Sequence, residues 1–505
     1  MSTYPSPVPS PSDPEPPRPA SAPFDGSTSA APAYAPTYAP GHPQVAQAPV
    51  SAAEVPAPAP GTWQYAPRRS FWESKGVRTG ALFTVLAVCG VVILALVRHH
   101  IGTEPFLVGL ALAILPVPLL LWVFLWLDHV APSPWQNVVF AFSWGSCAAT
   151  LVALFANEYG AKLLATTFSG TPTQSDHWGA TFVAPLVEET AKGTAILLLF
   201  LVRRRQFESV LDGIVVAGLT ATGFAFTENI LYIGTAFSED KALGSHGIGT
   251  TTVATFIVRV LMTPFAHPLF TSMTGIGFAL AAVIRPGRPW RWRWLPPVLG
   301  WMLAMGLHGT WNGSSLTSPL TFLTLYVAVM IPAFGMLVWV AFWARSNELR
   351  TVRRHLAPYA AAGWLAPGEP GALGSMGIRA EARRVARRFQ GETAARAVRE
   401  YAAFATHLAF LRGAATRGAP AADFAAREAE LLHHLWQRKA HAQPALQHAA
   451  NPPARWAPVT WHNPAPRPGL LTYQPPGPAP YPFPHPTPPA DPSTPRNPYA
   501  PPKHL

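Results

Sequence analysis

The chain is short of charge. Asp, Glu, Lys and Arg make up 12 % of its 505 residues, against roughly 25 % in a soluble globular protein. It is also short of cysteine, with Cys89 and Cys147 alone, each inside an apolar run. Two such thiols make neither a disulfide framework nor a thiolate metal site, and they read as small packing residues. No charged stretch leading into an apolar core opens the chain, so no signal peptide is expected. The first long apolar run, near Thr79, would itself direct insertion into a membrane. These scarcities exclude a disulfide-stapled secreted domain and an ordinary soluble enzyme.

What is present is unevenly placed. Most of the 58 prolines sit at the two ends. Residues 1–67 are rich in Pro, Ala, Ser and Tyr, with a local echo at Tyr34-Ala-Pro-Thr-Tyr38-Ala-Pro, and 443–505 share that character. Such composition cannot bury a core, so both tails are expected to be disordered. Between them lie apolar runs at about 79–98, 105–127, 136–156, 179–202, 209–235, 251–284, 295–312 and 318–344. A bilayer core of about 30 Å takes roughly 20 helical residues, so an all-α, polytopic membrane bundle of about eight transmembrane helices is expected over 79–344. The sixth run is overlong and carries Pro264 and Pro268, which predict a kink or break.

The loops supply an independent check. Basic residues gather before the first run (Arg68, Arg69, Lys75, Arg78), after the fourth (Arg203, Arg204, Arg205), after the sixth (Arg285, Arg288, Arg291, Arg293) and after the eighth (Arg345, Arg350, Arg353, Arg354). The alternate loops carry only Arg98, Lys162 and Lys241. Fifteen against three predicts a multi-pass protein of the cell membrane with both termini cytoplasmic. This placement, and not nucleic acid, accounts for the formal net charge of +12. Trp290, Trp292 and Trp294 between the arginines read as an interfacial belt, and no nucleic-acid partner is expected. From 346 to 442 charge and helical periodicity return. Arg379–Arg412 and Asp423–Lys439 predict two amphipathic helices of a small cytosolic region.

Ionisable groups inside a membrane are costly and mark function. The fourth run contains Glu188, Glu189 and Lys192; the fifth Phe224, Glu228 and Asn229; the sixth Arg259 and His267; the seventh His308 and Asn312. Four-residue spacings put Glu188 with Lys192, Phe224 with Glu228, and His308 with Asn312 on common helix faces. Lysine beside a carboxylate offsets part of the cost of burying either. At about 1.5 Å per residue from the basic edge, Glu188 and His308 lie roughly 22 Å deep, His267 roughly 27 Å and Glu228 roughly 28 Å. One shared site in the outer half of the bilayer is the reading. Histidine and carboxylate donors suit Zn²⁺ and leave a carboxylate over as general base. Water so activated would attack a peptide carbonyl, with Asn312 donating to the developing oxyanion.

Assembled, the motifs Glu188-Glu189-x-x-Lys192, Gly223-Phe224-x-x-x-Glu228-Asn229-Ile-Leu-Tyr232, His267-x-Leu-Phe-Thr271 and His308-x-x-x-Asn312 resemble the PrsW family of intramembrane metalloproteases. The resemblance spans about 79–344 and extends to the type II CAAX prenyl endopeptidases, which have histidine where this chain has Glu228. It implies a divalent-metal peptidase that cleaves membrane-anchored proteins, in that family an anti-sigma factor cut on its extracytoplasmic side. By analogy Glu188 or Glu189 is the general base and Asn312 the oxyanion donor. Glu228, His267 and His308 are ligands or transition-state stabilisers, supported by Lys192 and Asn229. Two other classes remain. An ion-coupled transporter would use the same buried carboxylates, yet the motifs occur once each and no internal repeat is found. A non-catalytic scaffold would use the proline-rich tails and leave the polar layer unexplained.

Overall fold

The computed structural model describes residues 75–167, 172–203, 207–283, 290–418 and 423–451, and their regular structure is helical throughout. Residues 1–67, most of 443–505, and Arg204, Arg205, Arg285 and Arg288 lie outside the described residues. Each apolar run falls within a helix: α1 Lys75–Ile101, α2 Thr103–Val130, α3 over 135–167, α4 over 172–203, α5 Val210–Ala242, α6 Thr250–Val283, α7 Trp290–Ser315 and α8 Pro319–Ala361. Three helices follow, α9 Glu369–Leu373, α10 Met376–Thr416 and α11 Phe424–Ala450. Among the described residues six helices (α1, α2, α3, α5, α6 and α8) are long and apolar enough to cross a bilayer. The remaining two runs are diluted by their own polar groups. Glu188, Glu189 and Lys192 interrupt α4, and Pro296, Pro297, His308 and Asn312 interrupt α7.

The bundle is organised around α5. Of its most apolar stretch 89 % is buried, against at most 33 % in the other five. It is therefore the helix that protein, not lipid, surrounds, and α2, α3 and α6 pack on it. Small residues permit that closeness, because helices gain nothing from hydrophobic burial when lipid is the solvent. A Cβ on Gly145 of α3 would stand 1.9 Å from the Thr220 carbonyl oxygen, and one on Gly223 of α5 would stand 2.1 Å from that of Phe142. Backbone thus touches backbone where α3 crosses α5. Both ends of α5 are anchored. Ser209 Oγ accepts from the Leu211 amide at 3.0 Å while Asp212 Oδ2 accepts from the Ser209 amide at 2.7 Å, the reciprocal cap that closes a helix start. At the far end Asp240 accepts from the Gly249, Thr251 and Thr252 amides at 2.9–3.0 Å and caps the start of α6.

The expected break in α6 is present. Its first half ends in a π-turn, Ile257–Met262, and Thr263 leaves the helix at φ −128° before the chain restarts at Ala266. Pro264 is the cause, since the residue before a proline is pushed out of the helical region. Tyr326 of α8 donates to the freed Met262 carbonyl at 2.9 Å. Further π-turns interrupt α3 at Trp144–Ala149, α4 at Gly179–Val183 and α8 at Tyr326–Met330. Such bulges re-aim side chains and concentrate at functional sites.

The apolar run at 318–344 lies in a helix that continues to Ala361 without a loop. Two sequence expectations are corrected. The helix expected over Arg379–Arg412 is two helices meeting at Gly391, whose φ of 84° no helix accepts. The last helix does not stop at Lys439, nor does irregular chain begin at 443. It runs to Ala450 because Ala442, Ala445, Leu446 and Ala449 extend its buried stripe past Pro444. These C-terminal helices share a second apolar core built on Val352, Leu356, Tyr401, Leu408 and Leu446. They are pinned to the bundle by Arg379, which donates to the Val130 carbonyl at 3.1 Å, the Leu373 carbonyl at 2.6 Å and Thr406 Oγ1 at 2.8 Å.

Glu208 sits at the same end of the bundle. Burial pushes its carboxyl up to about 8, the Asp212 carboxylate adds to the rise, and Arg427 and Arg417 oppose it. The folded chain therefore keeps this proton to about pH 8, whereas the unfolded chain loses it near the ordinary 4.5. Stability from this group is present at low pH and falls as pH rises through that window. In thermal unfolding of the detergent-purified protein, Glu208→Gln should narrow the stability lost between pH 5 and pH 8. An unchanged pH dependence would contradict the assignment.

Candidate active site

Four helices contribute the polar residues, and the local structure explains their direction. The π-turn at the start of α4 leads into the turn carrying Glu188 and Glu189, and Lys192 follows one turn later on the same face. The break in α6 puts Arg259 on one side and His267 in the first turn of the restarted half. Glu228 and Asn229 come from buried α5, His308 from α7. Glu188, Glu189, Lys192 and His308 are all buried, Glu189 and Lys192 completely.

Two carboxylates hold the two histidines. Glu189 Oε1 lies 2.9 Å from His308 Nδ1, and Glu228 Oε2 lies 2.8 Å from His267 Nε2. A carboxylate accepts only, so each contacted ring nitrogen carries the hydrogen and the other keeps a lone pair. The remaining lone pairs are then those of His308 Nε2 and of His267 Nδ1, the latter approached by Lys192 Nζ at 3.3 Å. His308 Nε2 is 3.7 Å from Glu188 Oε2, a buried oxygen with no hydrogen-bond partner among the described residues. Donor atoms of Glu188, His267 and His308 all fall within 4.8 Å of one another.

The remaining contacts complete the electrostatics. Lys192 Nζ lies 2.7 Å from Glu189 Oε1, 3.6 Å from Glu188 Oε2 and 3.3 Å from His267 Nδ1. It also stands 4.1 Å from the centre of the Phe224 ring, where a cation is attracted to the π face. Thr271 Oγ1 donates to Glu189 Oε2 at 2.9 Å, so both Glu189 oxygens are engaged. Glu228 Oε2 is shared with Arg259, whose Nη2 also reaches it, whose Nε donates to Asn229 Oδ1 at 2.8 Å and whose guanidinium covers the Tyr232 ring at 3.9 Å. Asn157 Nδ2 donates to Glu188 Oε1 at 3.3 Å.

The structure thus brings seven of the eight sequence-nominated residues into one connected cluster. The eighth, Asn312, lies one turn beyond His308, and its Nδ2 donates to the Ala180 carbonyl at 3.0 Å. In this state it ties α7 to the π-turn of α4. The grouping of possible ligands also differs from that implied by the resemblance. Glu188 joins the two histidines, whereas Glu228 is paired with Arg259. Asn157 was missed because the third apolar run reads as ending at 156, while α3 continues to Thr167. Its only signal was its place one residue past that run.

A divalent ion fits these residues. Glu188, His267 and His308 offer donor atoms within 4.8 Å of one another, a mixed carboxylate and imidazole set of the kind that holds a divalent ion. Lys192 Nζ, which stands against Glu188 and His267, would have to turn aside for such an ion, and the carboxylates behind the histidines provide the backing that metal-bound imidazoles ordinarily have. Residues 133–342 match the family described as PrsW family intramembrane metalloprotease. The matched stretch holds every residue of the cluster, so the site-bearing segment is similar to that family of membrane-embedded peptide hydrolases. Helices α1 and α2, the C-terminal helices and both tails lie outside the match. No curated protein and no solved structure matches the chain.

The fully buried Glu189–Lys192 pair yields a stability test. Removing one partner strands a charge in an apolar interior, whereas removing both does not. In detergent unfolding, Lys192→Met should cost about 3–5 kcal/mol, and Glu189→Met/Lys192→Met should cost less than the two single changes together. Additive losses would show that the pair is not coupled.

Proposed function

We propose that the chain hydrolyses peptide bonds of membrane-anchored proteins within the outer half of the cell membrane, with both termini in the cytoplasm. Glu188, His267 and His308 would hold a divalent ion, and their nitrogen and oxygen donors suit Zn²⁺. Once held there, such an ion supplies an acidified water and polarises the scissile carbonyl. The observation that carries the reading is the buried, unpartnered Glu188 Oε2 facing the lone-pair nitrogen of His308.

Roles follow from which atoms are already engaged. Glu189 has both oxygens occupied, by His308 and Lys192 on one and Thr271 on the other, so it positions His308. Glu228 positions His267 through Oε2, the oxygen that Arg259 also holds. With Glu188 Oε2 given to the ion, its Oε1, which accepts from Asn157 Nδ2 at 3.3 Å, is the oxygen left to take the proton of an attacking water. Lys192 brings the ammonium nearest to these atoms and stabilises negative charge as it develops. Asn312 gives one Nδ2 hydrogen to the Ala180 carbonyl and keeps a second that can serve a developing oxyanion. An anti-sigma factor fits as substrate class, since the family resemblance and the depth of the cluster both favour cutting on the outer side. A transporter would need a paired, exchangeable site, but here each carboxylate apart from Glu188 is fixed by permanent partners.

Cells carrying wild-type protein or Glu188→Gln at matched level should differ in the new N-termini of their membrane proteins. Specific extracytoplasmic cuts are expected in the wild type, with a loss of at least about 100-fold in the variant, the scale on which acid–base groups contribute. Identical profiles from folded, equally abundant proteins would remove proteolysis as the function.

A further inference from the structure

Helices α3 and α4 touch at several levels, and a groove runs along the outer side of their seam. At one level Gly160 packs so tightly on α4 that a Cβ there would stand 2.5 Å from Val183 Cγ1. At another, the Trp144 indole Nε1 donates to the Ala191 carbonyl at 3.0 Å. The groove has a volume of about 610 Å³. Ala148, Val152 and Ala156 form one wall, and Val187 and Thr190 the other. Trp301 of α7 edges it, its Nε1 donating to Thr190 Oγ1 at 3.2 Å. Val152 is 54 % exposed, so the groove opens sideways from the bundle, where the surroundings are lipid.

The groove adjoins the cluster. The next residue along each wall is Asn157 on α3 and Glu188 on α4, and these two are hydrogen-bonded to each other. Each keeps one buried acceptor without a partner, Asn157 Oδ1 and Glu188 Oε2. A lipid acyl chain would fill the volume but has no hydrogen to donate. A backbone N–H does. From Ala148 to Ala156 the wall rises about 12 Å, the length of about four residues of extended chain at about 3.3 Å each. Four extended residues with small side chains fit that length, whereas a helix of about 10–12 Å diameter is as wide as the groove is long.

We infer that this groove receives a locally extended stretch of a substrate's membrane segment, entering sideways between α3 and α4, with Asn157 Oδ1 accepting a backbone N–H beside the bond to be cut. The inference rests on the proteolytic reading and assigns its substrate channel and a substrate-contacting residue. It implies a preference for substrates with small residues and weak helix formers at that position, because the walls leave little room and the N–H must be free of its own helix.

The test fills the groove without touching the cluster. In full-length protein, Val152→Trp should reduce the Glu188-dependent cuts at least tenfold with thermal stability kept, and Val85→Trp on the lipid face of α1 should not. A folded Val152→Trp that cuts like wild type overturns the inference while leaving proteolysis intact. A second readout does not depend on turnover. A benzoyl-phenylalanine photo-crosslinker at 152, in the full-length Glu188→Gln background, should trap those membrane proteins whose cut termini vanish with Glu188→Gln. Asn157→Leu should weaken that adduct severalfold. Adducts of lipid mass alone, or only of a second copy of the chain, would overturn it. Absence of any Glu188-dependent cut in wild-type cells would instead count against the proteolytic reading, and the crosslink would still report what occupies the groove.

Discussion

A charge buried in a helical bundle must be answered by another group of the bundle, because neither lipid nor neighbouring apolar side chains will do so. That constraint organises this protein. Glu189 and Lys192, both fully buried, neutralise one another within a single turn of α4. Around them every other ionisable group at the centre has found a partner on a different helix. Glu189 reaches His308 of α7 and Thr271 of α6, while Glu228 of α5 reaches His267 and Arg259 of α6. Polar satisfaction therefore joins four helices at one level. Six buried polar atoms among the described residues lack a hydrogen-bond partner, and two of them, Glu188 Oε2 and Asn157 Oδ1, belong to residues that are hydrogen-bonded to each other. These two are the ones that flank the groove between α3 and α4.

The same economy explains the irregular backbone. Membrane helices tolerate broken hydrogen bonds only where protein re-satisfies them. The break at Thr263 meets that condition through the Tyr326 hydroxyl. In return it places Arg259 and His267 on separate helical segments that converge on Glu228. The closeness of α3 and α5, allowed by Gly145 and Gly223, brings the α3 face carrying Asn157 alongside the cluster. At the opposite end of α5, Ser209, Asp212 and Glu348 join the bundle to the helices that follow it.

Much of this was legible in the amino-acid order. Lipid imposes a single length and polarity rule, so the eight apolar runs identified the helices, and the rarity of charge within them identified Glu188, Glu189, Lys192, Glu228, His267 and His308. What escaped was pairing across helices. Spacing along one helix cannot tell that Glu228 takes Arg259 as its partner while Glu188 keeps an oxygen free, so the ligand grouping differed from that implied by the resemblance. Asn157 escaped because the apolar run stops just before it although the helix does not. Asn312 was correctly placed one turn from His308, but the π-turn that presents the Ala180 carbonyl to it has no signature in sequence. Beyond 346, buried alanines extended α11 further than the prolines of the tail suggested, and Gly391 broke a helix that periodicity alone would have continued.

The central claim is that two backing carboxylates leave His267, His308 and Glu188 facing one divalent cation. Metal content of the full-length chain, purified in mild detergent without chelators, tests it most directly. The account predicts about one divalent ion per chain, as a three-ligand protein site holds. It predicts near-complete loss in His267→Ala/His308→Ala, and affinity weakened roughly 10–100-fold in Glu189→Gln, where the ligands remain but the backing of His308 is gone. Protein that is folded yet binds no ion, or binds it equally well without the two histidines, would contradict the account.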